Sequence, residues 1–174
     1  MQSLYQRILG TSFESLDPIL KRIHDDRTLR RYSGHCEIEG DRTFLAKLVA
    51  KVAGLPSRGT SVAVTVTMNC NREAEEWVRD FGAHRMRSCL SFHRTRLRER
   101  LGLVLFTFEL IAGLDRIDWH VVSARFWPLA LPITWLLECS ASEAVVNGRY
   151  TFEVKARVRG VGMIVHYKGW LVES

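Results

Sequence analysis

Residues 145–171 read VVNGRYTFEVKARVRGVGMIVHYKGWL. Tyr150, Phe152, Val154, Ala156 and Val158 alternate with Thr151, Glu153, Lys155, Arg157 and Arg159. A period of two sends successive side chains to opposite faces of a strand, here one apolar and one wet. Gly160 turns the chain. Met163, Val165, Tyr167, Gly169 and Leu171 then form an apolar face, with Ile164, His166, Lys168 and Trp170 on the other side. Just upstream, Asn147-Gly148 is the sequence signal of a two-residue hairpin. Strands joined by such short links run antiparallel.

The same period recurs toward the N-terminus. Residues 32–39 alternate Tyr32, Gly34, Cys36 and Ile38 with polar neighbours, and Val62, Val64, Val66, Met68 and Cys70 form another apolar face. Residues 77–81 and 83–92 are strand-like runs parted by Gly82, and 93–100 is read as one arginine-rich strand or rim. Residues 103–112 are apolar on both sides, and 116–127 and 133–145 complete the set. The count is about nine or ten strands with short links. So many strands in one sheet curl to manage their edges.

Helical spacing is confined to the N-terminal third. Leu4, Ile8 and Leu9 share a face, and Phe13, Leu16, Ile19, Leu20 and Ile23 continue it. Asp17-Pro18 fits an N-cap and first helical position, so helices are expected over 3–9 and 15–24. Residues 25–31 read as a charged link. A third helix is expected over 42–53, with Gly54 as its C-terminal stop and Pro56 beyond. The expected fold is therefore α+β and mostly β. It is a strongly curved antiparallel sheet or barrel of about nine to ten strands, with two or three N-terminal helices, as one domain spanning residues 1–174.

Composition fits that reading and excludes several classes. A chain of 174 residues is long enough for one domain with its own core. Hydrophobic residues at 47% and charged residues at 25% exclude a disordered chain. No apolar run is long enough for a membrane-spanning helix. Residues 1–10 lack the charged start and apolar stretch of a secretory leader. Cys36, Cys70, Cys89 and Cys139 form no C-x-x-C pair, so inert thiols in the cytoplasm are expected. A net charge of +6, without regular aromatic interleaving, argues against nucleic acid.

Several dispersed segments carry a family resemblance. They are residues 4–10 with Phe13, Leu16, Pro18 and Leu20, then Ala53-Gly54-Leu55-Pro56, then Trp77-Val78-Arg79-Asp80-Phe81-Gly82 and Arg87-Ser88. At the C-terminus they are Phe152-Glu153-Val154, Gly160-Val161-Gly162 and Val165-His166-Tyr167-Lys168-Gly169-Trp170-Leu171. In this order they resemble a bacterial domain of unknown function. That domain occurs alone or fused C-terminally to saccharopine-dehydrogenase-like, nucleotide-binding reductases. The resemblance implies no activity. It implies only a possible reductase partner for which the domain would help hold an apolar substrate. The chain has no G-x-G-x-x-G fingerprint of its own, and no cofactor is expected.

The candidate site residues are read from strand faces. Trp77, Arg79 and Phe81 share one face, expected to point inward. A buried guanidinium needs a carboxylate, and Glu138, Glu109 and Glu143 are the candidates considered. Arg79 is then either half of a structural ion pair or an anchor for the acidic end of a ligand. Arg87 and Ser88 can join either arrangement. Trp119, Trp127, Trp135, Phe126, Tyr150 and Tyr167 are core or the wall of a pocket for an apolar ligand. Residues 126–137, FWPLALPITWLL, are a packed connection, a lid, or an exposed patch for a partner or membrane surface. Arg94, Arg96, Arg98 and Arg100 form a solvated stripe or a surface for an anionic partner. The histidines show no metal spacing, and His35, His120 and His166 are expected to be exposed.

Three functions follow. The first is a binding module for a small hydrophobic or amphipathic ligand, lipid-like or isoprenoid-like, in the hollow of the sheet. The second is an enzyme or substrate-binding partner of a reductase, requiring Arg79, Arg87, Glu138 and Tyr167 to converge. The third is a protein-interaction domain docking through 126–137.

Overall fold

The computed structural model describes residues 2–25, 29–40, 59–70, 74–82, 84–126, 131–132, 134 and 137–174. The chain starts with α1 (Leu4–Leu9), a 3-10 turn (Gly10–Phe13) and α2 (Pro18–Ile23). The strands are β1 (Leu29–Glu39), β2 (Gly59–Cys70), β3 (Ala74–Asp80), β4 (Arg85–His93), β5 (Arg96–Leu101) and β6 (Val104–Ala112). They continue with β7 (Arg116–Phe126), the two-residue β8 (Leu131–Pro132), β9 (Leu137–Val146), β10 (Arg149–Val158) and β11 (Gly162–Glu173). The helix expected over 42–53 falls outside the described residues.

Ten strands close into a ring. Each pairs antiparallel with its neighbour in sequence, β7 passes to β9, and β11 returns to β1. β8 is a short flap on the end of β7, at Arg125 and Phe126. The sheet is therefore an up-and-down barrel, in which each ring strand has a neighbour on both sides. Two-residue turns at 94–95, 102–103 and 147–148 set the register of three hairpins. Asn147 and Gly148 both take positive φ, at 52° and 70°, the type I′ geometry their sequence signals.

Glycine permits a close approach where β1 meets β11. A methyl on Gly34 would strike the Trp170 carbonyl oxygen, and one on Gly169 the His35 carbonyl oxygen.

The helices cap one end of the barrel. Ser3 and Gln6 form a reciprocal capping box on α1. Asp17 Oδ1 accepts from the Ile19 N–H at 2.7 Å with Pro18 at the first helical position, as the sequence suggests. Tyr5, Leu20 and His24 are fully buried, with Phe13 and Leu16 nearly so. Arg7 lies over the Phe92 ring at 4.4 Å and ties α1 to β4. The Asp17 N–H donates to the Leu114 carbonyl in the β6–β7 turn, at 2.6 Å. Turns 93–96, 112–116 and 146–149 thus gather at the helical end.

Three local readings are corrected. Residues 29–31 belong to β1 rather than a link, because Arg30 is buried against Glu75 at 3.3 Å. The run 93–100 is a hairpin corner plus β5, with Arg94 and Thr95 at φ of 48° and 66°. Neither residue signals a type I′ turn, which usually carries Asn and Gly. Ile164 points inward although alternation puts it outside. A bulge opposite Ala156 and Arg157 inserts it as an extra residue and shifts the phase of the strand.

Candidate functional site

An eight-stranded barrel is just filled by its own side chains, and adding strands widens the interior. This ten-stranded barrel encloses a cavity of about 450 Å³. Its walls are mostly apolar. Trp77, Trp119 and Phe108 stand toward the helical end, and Leu103, Phe126 and Val158 toward the opposite end. Trp119 packs edge-on against Phe108 and Trp77, with ring centroids 5.3 and 6.3 Å away.

The β3 row does face inward. Trp77, Arg79 and Phe81 all line the cavity, as do Trp119, Tyr150 and Tyr167. Arg79 Nη1 donates to Ser88 Oγ at 2.9 Å, and its guanidinium carbon lies 4.9 Å from the centre of the Trp77 ring. Arg79 Nη2 is 3.6 Å from Glu99 Oε1. Burial opposes the guanidinium charge, but Glu99 and the nearby tyrosine oxygens outweigh it and raise the Arg79 pKa.

The partner carboxylate differs from the expected ones. Glu99 sits on β5, where Leu97, Glu99 and Leu101 face inward between Arg96, Arg98 and Arg100. The period-two alternation of that strand was the signal that could have found it. Glu138 faces outward and pairs with Arg159 at 3.3 Å. Glu109 is exposed on the outer face of β6. Glu143 is buried but pairs with His24 Nε2 at 2.5 Å. Arg87 also points outward, where it meets Glu76 at 3.1 Å. Strand parity explains both outward residues: Arg87 lies one position from the inward Ser88, and Glu138 one from the inward Cys139. Arg79 and Tyr167 therefore do not converge with Arg87 and Glu138, and the four-residue catalytic cluster is not formed. Trp127 and Trp135 fall outside the described residues, as does most of the 126–137 run.

A second polar group forms at the helical end. His24, the residue that ends α2, stacks on Tyr5 with centroids 3.6 Å apart and bonds to Glu143 from β9. Sequence spacing gives no hint of this pair, because 119 residues separate its members. Burial, then Glu143, keeps both the Tyr5 and Tyr150 phenols protonated far above their ordinary value. Burial also raises the Tyr167 phenol, with nearby Arg79 opposing it. Cys139 retains some surface, but that surface lines the cavity, and burial pushes its thiol up to about 12. All four cysteines carry free thiols.

A family model described as a domain of unknown function (DUF4166) matches residues 16–171. The chain belongs to this family. The matched stretch of the DUF4166 domain begins just before α2 and takes in the ring up to Leu171 in β11, and so every residue of the cavity wall. Among solved structures, Rv2717c from M. tuberculosis is similar with a TM-score of 0.48 and 12% identity, covering 91% of this chain and 99% of that one. No curated protein matches. Among the described residues, no cluster of three or more His, Cys, Asp or Glu side chains is placed to hold a metal ion. No helix among them is long and apolar enough to cross a membrane.

Proposed function

We propose that this barrel is a binding module for one small, largely apolar molecule, whose polar end sits against Arg79. The observation that carries the reading is the cavity itself. At about 450 Å³ it lies within the size range of small-molecule pockets, and a few polar groups sit in an otherwise apolar wall. A closed barrel keeps such a site rigid, and the N-terminal helices seal one end. Arg79 is fixed by Ser88, Glu99 and Trp77, so its remaining N–H groups are held in place before a ligand arrives.

The test uses the full chain and N-phenyl-1-naphthylamine, an uncharged probe that fluoresces in apolar surroundings. Saturable enhancement with one probe per chain is expected, with quenching of the cavity tryptophans Trp77 and Trp119. Ala141 lines the cavity on β9, and Ala141→Trp would fill part of it. That variant should melt no lower than the wild type yet lose the saturable signal. Uptake that never saturates, or that survives Ala141→Trp unchanged, sinks the proposal.

A further inference from the structure

The charges inside the barrel restrict what the polar end of a ligand can be. Three carboxylates are buried there, and each already has a basic partner. Glu99 lies 3.6 Å from Arg79, Glu75 lies 3.3 Å from Arg30, and Glu143 lies 2.5 Å from His24. Three carboxylates against two guanidiniums leave this set at −1 when His24 is neutral and at zero when it is protonated. In neither state is it positive. A ligand carboxylate would add a further negative charge to an apolar enclosure. Burying an ion without a spare counter-charge is strongly unfavourable.

An uncharged oxygen meets no such penalty. Around Arg79 the interior offers hydrogen-bond donors: the guanidinium N–H groups and the phenol of Tyr167, which lies close enough for Arg79 to act on it electrostatically. A ketone, ester or alcohol oxygen accepts from such donors without changing the net charge. Resting on the binding reading above, we propose that the ligand's polar end is an uncharged oxygen. In this proposal Glu99 is the residue that sets the preference, by neutralising Arg79 and so excluding free acids.

Farnesol and farnesoic acid form a matched pair that differs only at the polar end. Each is titrated against the chain loaded with N-phenyl-1-naphthylamine at about pH 8, where the acid is ionised. The wild type should bind farnesol at least about tenfold more tightly. Glu99→Gln removes the neutralising charge and keeps the shape. It should raise farnesoate affinity by about tenfold or more while changing farnesol affinity much less. A second measurement needs only the wild type: near pH 4, where farnesoic acid is largely neutral, the two affinities should approach each other. Tighter farnesoate binding by the wild type at pH 8, or a preference that neither Glu99→Gln nor acid alters, overturns the proposal and leaves the binding reading standing. If the uncharged probe itself never binds, both fall together.

Discussion

Arg79 is held by contacts of three kinds: a hydrogen bond to Ser88, an ion pair with Glu99 and a cation–π contact with Trp77. Both charged side chains are nearly buried, at 12% and 10% exposure. Removing one partner leaves the other as a bare charge in an apolar wall. Arg79→Met should therefore lower unfolding stability by about 3 kcal/mol, and adding Glu99→Leu should recover most of the loss. Urea denaturation of the two variants beside the wild type measures this. Equal stability of the single and double variants would show that Glu99 does not depend on Arg79. The inward direction of Arg79 follows from its place between Trp77 and Phe81. Its partner is harder to read, because Glu99 reaches Arg79 from β5, across the intervening β4, and alternation within one strand does not record which strands lie that close.

Turns and strand pairs carry their own energetics. The β4–β5 corner places Arg94 and Thr95 at positive φ, where a side chain costs roughly 1–2 kcal/mol per residue. Replacing them with Asn and Gly, as at 147–148, should stabilise the barrel by about 1 kcal/mol or more. A higher urea midpoint with an unchanged slope is the expected signature. The same comparison explains why 93–100 reads as one strand: β alternation on both sides hides a turn that lacks turn residues. On the outer face of β10, Lys155 and His166 hydrogen-bond Glu153 and hold its carboxyl below the ordinary value of 4.5. A depressed carboxyl stabilises the fold above its unfolded value, and the contribution is lost as pH falls through the lower, folded value. The pair is partly exposed, so the effect is a few tenths of a kcal/mol at most. Melting temperatures between about pH 3 and 7 should show a shallower acid limb for Glu153→Gln. An identical limb would mean the pairing contributes nothing.

Closure gives the molecule its properties as a unit. Every ring strand is bonded on both sides, and the first and last strands of the chain meet at β1 and β11. That seam tolerates no added methyl at Gly34 or Gly169, since each would meet a carbonyl oxygen of the facing strand. With one end sealed by helices, the remaining interior is the cavity. Ala141→Trp is thus a test of the whole barrel: the added indole has space to occupy, so binding should vanish without loss of melting temperature. A marked loss of stability would mean that the interior is already filled.

Period-two alternation and turn residues suffice to specify mostly antiparallel strands, their number, the capping of α2 and the inward row of Trp77, Arg79 and Phe81. These are local properties, fixed by backbone geometry within a few residues. Ring closure, the bulge at Ile164, the pairing of Glu99 with Arg79 and the buried His24–Glu143 contact depend on which distant segments meet. Separation along the chain carries no record of that meeting, because it is set by how the twisted strands accumulate around a common axis.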